Sequence, residues 1–293
     1  MVLSVGPGGR SANAERCAVS HTRQRLAVVC GCLVSVFGAV AMWAQEPKKE
    51  PPVQWVETET GRWMVHDEAR PAPPVVTPGV CGARETPERP PADAVVLFDG
   101  QDLSKWTDMK GQPSKWVVRD GYMESVKGAG YVRTRQEFGS AQVHVEFATP
   151  SVVTGAGQGR GNSGVFLQGQ YEVQVLDSYE NKTYPDGQCG ALYGRAVPLV
   201  NASCKPGQWQ TYDIVYHRPV FDQSGKVTRK AVFTVFHNGI LIHDHVALEG
   251  GTTWIGPHTI TDYAPHGDKG PLMFQDHNNP VRFRNVWVRE LRD

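Results

Sequence analysis

From Ala94 to the C-terminus, polar and apolar side chains alternate in short runs broken by turn residues about every ten positions, and this pattern constrains the fold more than any other feature. VHVEF (143–147), GVFLQ (164–168), YEVQVLD (171–177), YDIVYH (212–217), AVFTVFHNG (231–239), LIHDHV (241–246) and VRFRNVWVREL (281–291) are runs of this kind. A period of two marks a strand with one face in the core and one outside it. Asn238-Gly239 lies between two such runs, and both residues tolerate the positive φ of a tight hairpin. Gly169-Gln170 is expected to separate another pair. No stretch of useful length after residue 94 has the helical period. The fold class is therefore all-β, with antiparallel strands closed into a sandwich or barrel. The alternation also sorts side chains by face. Tyr171, Val173 and Val175 are expected in the core, which sends Glu172, Gln174 and Leu176 to the opposite face.

Hydrophobic residues at 40% and charged residues at 20% describe a folded chain. The 30 basic and 30 acidic side chains cancel, which argues against nucleic-acid binding by bulk charge. Ten of the 21 prolines fall between residues 46 and 92. Residues 45–92 thus read as a proline-rich arm or linker, and 93–293 as the folded body, long enough for a sizeable core.

Arg23 and Arg25 precede an uncharged run from Leu26 to Trp43, followed by small residues, which is the order of an export signal. Ala39-Val40-Ala41 and Ala44 offer cleavage positions, so 1–44 is read as a signal peptide, with a retained membrane anchor as the competing reading. Export directs the body to the periplasm or the exterior. Cys17, Cys30 and Cys32 then leave with the signal, and Cys81, Cys189 and Cys204 remain in an oxidising compartment. Cys189 and Cys204 could close one loop, with Cys81 left free. No C-x-x-C spacing for structural zinc exists.

Several segments follow one another in an order that resembles a known family: LFDGQDLSKW (97–106), WVVRDG (116–121), GNSGVFLQGQYEVQVLDS (161–178), GALYG (190–194), PGQWQTYDI (206–214), HNG (237–239) and QDHNNPVRFRNVWVREL (275–291). The ordered set is similar to the domain of unknown function 1080 family, described as 3-keto-disaccharide hydrolases or 3-keto-glucoside lyase/hydratases. The resemblance spans about 93–293. It implies a two-sheet antiparallel jelly roll of the concanavalin A-like lectin/glucanase type, preceded by an irregular N-terminal arm, and a role in sugar breakdown outside the cytoplasm. Two positions depart from the family pattern: Gln168 stands where Arg is frequent, and Asn278 follows His277 where Gly is usual.

The chemistry implied is cleavage of a 3-keto-glycoside. The ketone acidifies the C2 proton, an enolate forms, the glycosidic oxygen leaves C1, and water adds to the resulting double bond. Such a site needs a general base, an acid for the leaving oxygen and donors for the enolate. Glu172, His277 and Asp177 are the catalytic candidates. Each has a structural alternative: Glu172 as a partner of Arg284, His277 as a tie in the turn 276–280, and Asp177 as a turn cap with Ser178. Asn162, Gln168, Gln174, Tyr193, Trp209, Gln275 and Arg284 are the substrate-binding candidates, because amides, aromatics and a guanidinium suit sugar hydroxyls, ring faces and an anionic oxygen. Asn162 lies in GRGNSG, a turn that brings backbone close to a ligand or a neighbouring strand.

No cofactor is expected. His243 and His245 alternate on one strand but give only two metal ligands, while a divalent cation such as calcium on loop carboxylates stays open without a ligand series to name. The expected partners are an oligosaccharide or 3-keto-glycoside and a separate oxidoreductase that makes the ketone. A non-catalytic, lectin-like carbohydrate-binding module is the alternative function. A retaining glycosidase fits least, since the paired-carboxylate E-x-D-x-x-E spacing is absent.

Overall fold

The structure, a computed structural model, describes residues 51–58, 61–79, 81, 87 and 89–292. The signal or anchor expected at 1–44, with its three cysteines, lies outside the described residues. The arm is more regular than its composition suggests, because β1 (Trp55–Thr58) and β2 (Gly61–Met64) form a hairpin in it.

The body begins with β3 (Val95–Phe98), β4 (Trp106–Asp108), β5 (Val117–Arg119), β6 (Tyr122–Glu124), β7 (Val132–Phe138) and β8 (Ala141–Ala148). It continues through β9 (Ser163–Leu167), β10 (Tyr171–Val175), β11 (Gln210–His217), β12 (Val220–Phe221), β13 (Val227–Arg229) and β14 (Val232–His237). The last strands are β15 (Ile240–Ala247), β16 (Trp254–Gly256), β17 (Thr259–Ile260), β18 (Gly270–Phe274) and β19 (Arg282–Glu290). Each of the seven alternating runs contains one of these strands.

Two large antiparallel sheets form a jelly-roll sandwich. The smaller has the order β10-β9-β18-β7-β4, and the larger runs β15-β14-β11-β8-β19-β6-β5, with β3 added to β19. Their inner faces supply the core. Val165, Tyr171, Val173 and Leu272 of the smaller sheet meet Val143, Val145, Ile214 and Val288 of the larger in one buried cluster. Phe274 bridges the layers, stacked on Phe283 at 4.3 Å and on Trp106 at 5.0 Å. Deleting such a ring removes both apolar burial and dispersion contacts.

Turn chemistry sets the registers. Asn238 and Gly239 have φ of 53° and 77° and join β14 to β15, as their residue types require. The β9–β10 turn sits one residue earlier than expected. Gln168 and Gly169 take the positive φ values, 51° and 65°, and Gln170 N donates to Leu167 O. Gln168 is therefore a turn residue. Its amide is tied to Asp268 O and to the Tyr216 hydroxyl, which removes it from the substrate-binding set.

The arm is stitched to the body along its length. Gln54 N donates to His258 O, Val75 bridges Asn201, and the backbone of His66 donates to the buried Asp186. Among the described residues, a disulfide joins Cys81 to Cys204 across 123 residues, and Cys189 is a buried free thiol. The expected Cys189–Cys204 pairing is thus corrected. Cys189 lies in the core between Tyr212 and Ser178, and burial raises its pKa, so it is a poor nucleophile.

Closing a loop of that length restricts the unfolded chain by an amount worth roughly 2–5 kcal/mol. Paired Cys81→Ser and Cys204→Ser substitutions are expected to lower the urea midpoint accordingly and to expose the arm to protease. An unchanged midpoint would show that the hydrogen-bonded stitches hold the arm unaided.

Candidate active site

The alternation in β10 creates the site. Tyr171, Val173 and Val175 enter the core, as their parity requires, so Glu172 and Gln174 stand on the outer face of the smaller sheet. Leu176 belongs to the core instead, because the strand ends at Val175. On β9, Gly164 lies opposite Gln174 and Phe166 opposite Glu172. A methyl group at Gly164 would collide with the Glu172 carboxyl, so the glycine of the GNSG segment makes room for it. Met273 of β18 pairs with Phe166 and extends the floor.

A cleft of about 490 Å³ opens over this floor, a volume typical of small-molecule sites. Tyr131, Asn162, Tyr184, Tyr193, Gln275 and His277 are among its walls. Of the residues singled out in the sequence, Glu172, His277, Asn162, Gln174, Tyr193 and Gln275 converge here.

Glu172 is buried, with 5% exposure, and no side-chain hydrogen bond or ion pair reaches it among the described residues. Desolvation alone holds its pKa well above the ordinary 4.5. Arg284 is therefore not its partner. Three tyrosines, Tyr131, Tyr184 and Tyr193, lie close enough for its charge to raise their own pKa values, in each case after burial as the larger cause. Tyr131 accepts a hydrogen bond from Gln275 Nε2 at 2.6 Å, so its own proton is available to a ligand. The Tyr184 and Tyr193 hydroxyls share one hydrogen bond at 2.8 Å, which leaves one proton for the cleft.

The amides supply the opposite polarity. Asn162 Nδ2 is committed to Gln158 O and Gln174 Nε2 to Gly187 O, which fixes which end of each amide is free. The oxygens Asn162 Oδ1, Gln174 Oε1 and Gln275 Oε1 are buried without a protein partner. Such unsatisfied acceptors in residues that line a cleft are a reason to look for a ligand with O–H donors.

Four expected residues lie elsewhere. Asp177 sits beneath the 157–162 loop, where Arg160 Nε donates to it at 2.7 Å and Tyr179 N caps its turn. It holds the wall and does not face the cleft. Arg284 and Trp209 belong to the outer face of the larger sheet. There Arg284 Nε donates to Glu146 at 2.6 Å and the guanidinium lies 4.2 Å from the Trp209 ring centre. Gln168 is spent in its turn, as described above. His243 is buried against Gly190 O, and a bulge in β15 turns His245 out to solvent, which separates the two histidines. No group of three His, Cys, Asp or Glu side chains with metal-binding proximity occurs among the described residues.

The sequence reading missed Tyr131, Tyr184, Trp254 and, behind the wall, His66. All four are in loops or short strands without a readable period. His66 comes from the arm, with its ring 4.4 Å from that of Tyr184 and 4.8 Å from that of Tyr193. It is held by its backbone N–H to Asp186 Oδ2 at 2.9 Å.

The raised pKa of Glu172 has a signed consequence. An unfolded glutamate releases its proton near 4.5, whereas the folded one keeps it to higher pH, so the native state binds more protons in that interval. Stability therefore falls as pH rises above about 4.5 through the folded value. Glu172→Gln is expected to melt above the wild type at pH 8, with the difference vanishing near pH 4. A variant that melts lower at pH 8 would mean that the carboxyl has a compensating cation.

A family model for the 3-keto-alpha-glucoside-1,2-lyase-like domain matches residues 93–289. A solved structure from Parabacteroides distasonis ATCC 8503, provisionally classed as a glycosyl hydrolase, is 45% identical, with a TM-score of 0.68 over 76% of this chain and 93% of its own. A second protein of that organism with the same provisional class is 20% identical, with a TM-score of 0.51 over 68% of this chain and 94% of its own, a likeness of fold. No curated protein matches. The body is a carbohydrate-active, glycosyl hydrolase-like domain, and the chain belongs to the 3-keto-alpha-glucoside-1,2-lyase-like family.

Proposed function

We propose that the protein is an exported enzyme that cleaves 3-keto-glycosides by elimination and hydration, with Glu172 as the base. The observation that carries this reading is the buried, cation-free carboxyl of Glu172 at the floor of a cleft lined with hydroxyl donors and orphaned amide acceptors. A carboxyl in that setting becomes a strong proton acceptor once ionised, because little stabilises its charge.

In the proposed reaction Glu172 takes the C2 proton and the electron pair moves onto the C3 carbonyl oxygen. In this reading the free protons of Tyr131 and of the Tyr184–Tyr193 pair stabilise that oxygen, a role donors fill best where water is excluded. The enolate then expels the glycosidic oxygen from C1. His277, exposed at the rim of the cleft, protonates it. Water then adds across the double bond: His277 takes back a proton from the water as its hydroxyl joins C1, Glu172 returns the abstracted proton to C2, and the free 3-keto sugar results. Asn162, Gln174 and Gln275 accept from the sugar hydroxyls. No step calls for nicotinamide or flavin, so a separate oxidoreductase makes the ketone. The Cys81–Cys204 disulfide supports export, since such bonds persist in oxidising compartments.

The test is turnover of a 3-keto-glucoside with a chromogenic leaving group by the protein from Gln45 onward. Glu172→Gln is expected to lower kcat by about 10²–10⁴-fold and His277→Ala by about 10²-fold, with folding intact by circular dichroism. A chelator arm reports any divalent cation. Absence of release, combined with binding of unoxidised oligosaccharides, would overturn the enzyme in favour of a lectin-like module.

A further inference from the structure

Trp254 lines the cleft, yet 55% of it is exposed, and the neighbouring Ile255 is 49% exposed. A large ring left open to water is not explained by packing. Nor is it a floppy loop residue, because the β16–β17 hairpin that carries it is held from the arm at several points. Gln54 N donates to His258 O at 3.0 Å, Ile260 N to Gln54 Oε1 at 3.1 Å, and Thr259 Oγ1 to Pro52 O at 3.2 Å. His258 Nδ1 lies 2.8 Å from Val65 O. The indole is thus an apolar platform on a braced support.

We infer that Trp254 forms a leaving-group subsite that stacks on a flat second ring, either a pyranose or an aryl group, attached to the 3-keto sugar. This rests on the proposed reading of the cleft. The glycone must put C2 beside Glu172, which is buried at the floor, so the group on C1 extends toward the open mouth. An aromatic face there binds the C–H face of a sugar or an aryl ring, and neither a methyl nor a short polar leaving group can cover it. The platform is built with the help of residues 51–65, which precede the family-matched segment 93–289. Leaving-group preference is therefore tied to the arm and separable from the catalytic floor.

The experiment compares 3-keto-glucosides that share the glycone and differ at C1: methyl, 4-nitrophenyl and glucosyl. Trp254→Ala is expected to raise KM for the 4-nitrophenyl and glucosyl substrates about tenfold more than for the methyl one, while Trp254→Phe retains most of the discrimination. Comparison of the 4-nitrophenyl and glucosyl arms shows which ring the platform prefers. An equal effect on all three substrates would overturn the subsite. Should the wild type turn over none of them, the reaction reading fails, and the subsite is then judged by binding of phenyl glucoside and cellobiose to wild type and Trp254→Ala. A tenfold weaker affinity in the variant sustains it, and equal affinity overturns it.

Discussion

The burial of the Glu172 carboxyl without a cation is the condition on which the rest of the site depends. Taking a carboxylate out of water is strongly unfavourable, and a protein normally answers with a cation or several donors. Here the answer is a raised pKa. The surrounding architecture maintains that state. The strict alternation of β10 fixes the side chain outward, Gly164 leaves room for it, and the 157–162 loop is tied down by Arg160 and Asp177. A group so placed costs stability as pH rises above about 4.5, which is a reason to look for its use in chemistry.

The outer face of the larger sheet is the contrasting case. Glu146 is also buried, but Arg284 and Asn285 donate to both of its oxygens, and it lies 3.9 Å from His144. Burial opposes protonation of His144, but Asp213 and Glu146 outweigh it and hold the imidazole pKa up at about 9. Trp287 stacks on that ring at 5.1 Å. Every charge in this cluster has its counterpart, and burial of Glu146 is offset until its pKa lies below the ordinary value. Two acidic residues of similar burial thus differ in whether the protein has neutralised them. On the proposed reading, that difference separates a structural pin from the reactive group.

The same contrast explains how far the sequence could be read. Alternation is a local property, so it marks seven of the strands and tells that Tyr171, Val173 and Val175 of β10 point into the core. It also brought Glu172 and Gln174 out together. A sandwich, however, has two outer faces, and parity does not say which of them a given outward residue joins. Residue type points Arg284 and Trp209 to the sugar site, whereas they lie together on the outer face of the other sheet. Gln168 was misplaced by a one-residue shift of the turn, and a side chain at positive φ leaves the strand face altogether. Tyr131, Tyr184 and Trp254 carry no periodic signal, because loops reach the cleft by tertiary packing. The disulfide was illegible for the same reason: Cys81 is 123 residues from its partner in sequence, and only the path of the arm brings them together.

That path gives the arm a meaning its composition did not suggest. Its described part contributes a hairpin, a disulfide and the His66 ring behind Tyr184 and Tyr193. The sandwich supplies the floor and its carboxyl, and the arm presses on the walls. A chain built this way can change what its cleft accepts without altering the strands that hold the reactive group. Substitutions in 51–79 act on the hairpin of Trp254 and on the tyrosine pair, whereas substitutions in β9 and β10 act on Glu172. On the proposed reading, chemistry and selectivity are carried by separate stretches of sequence that meet at one cleft.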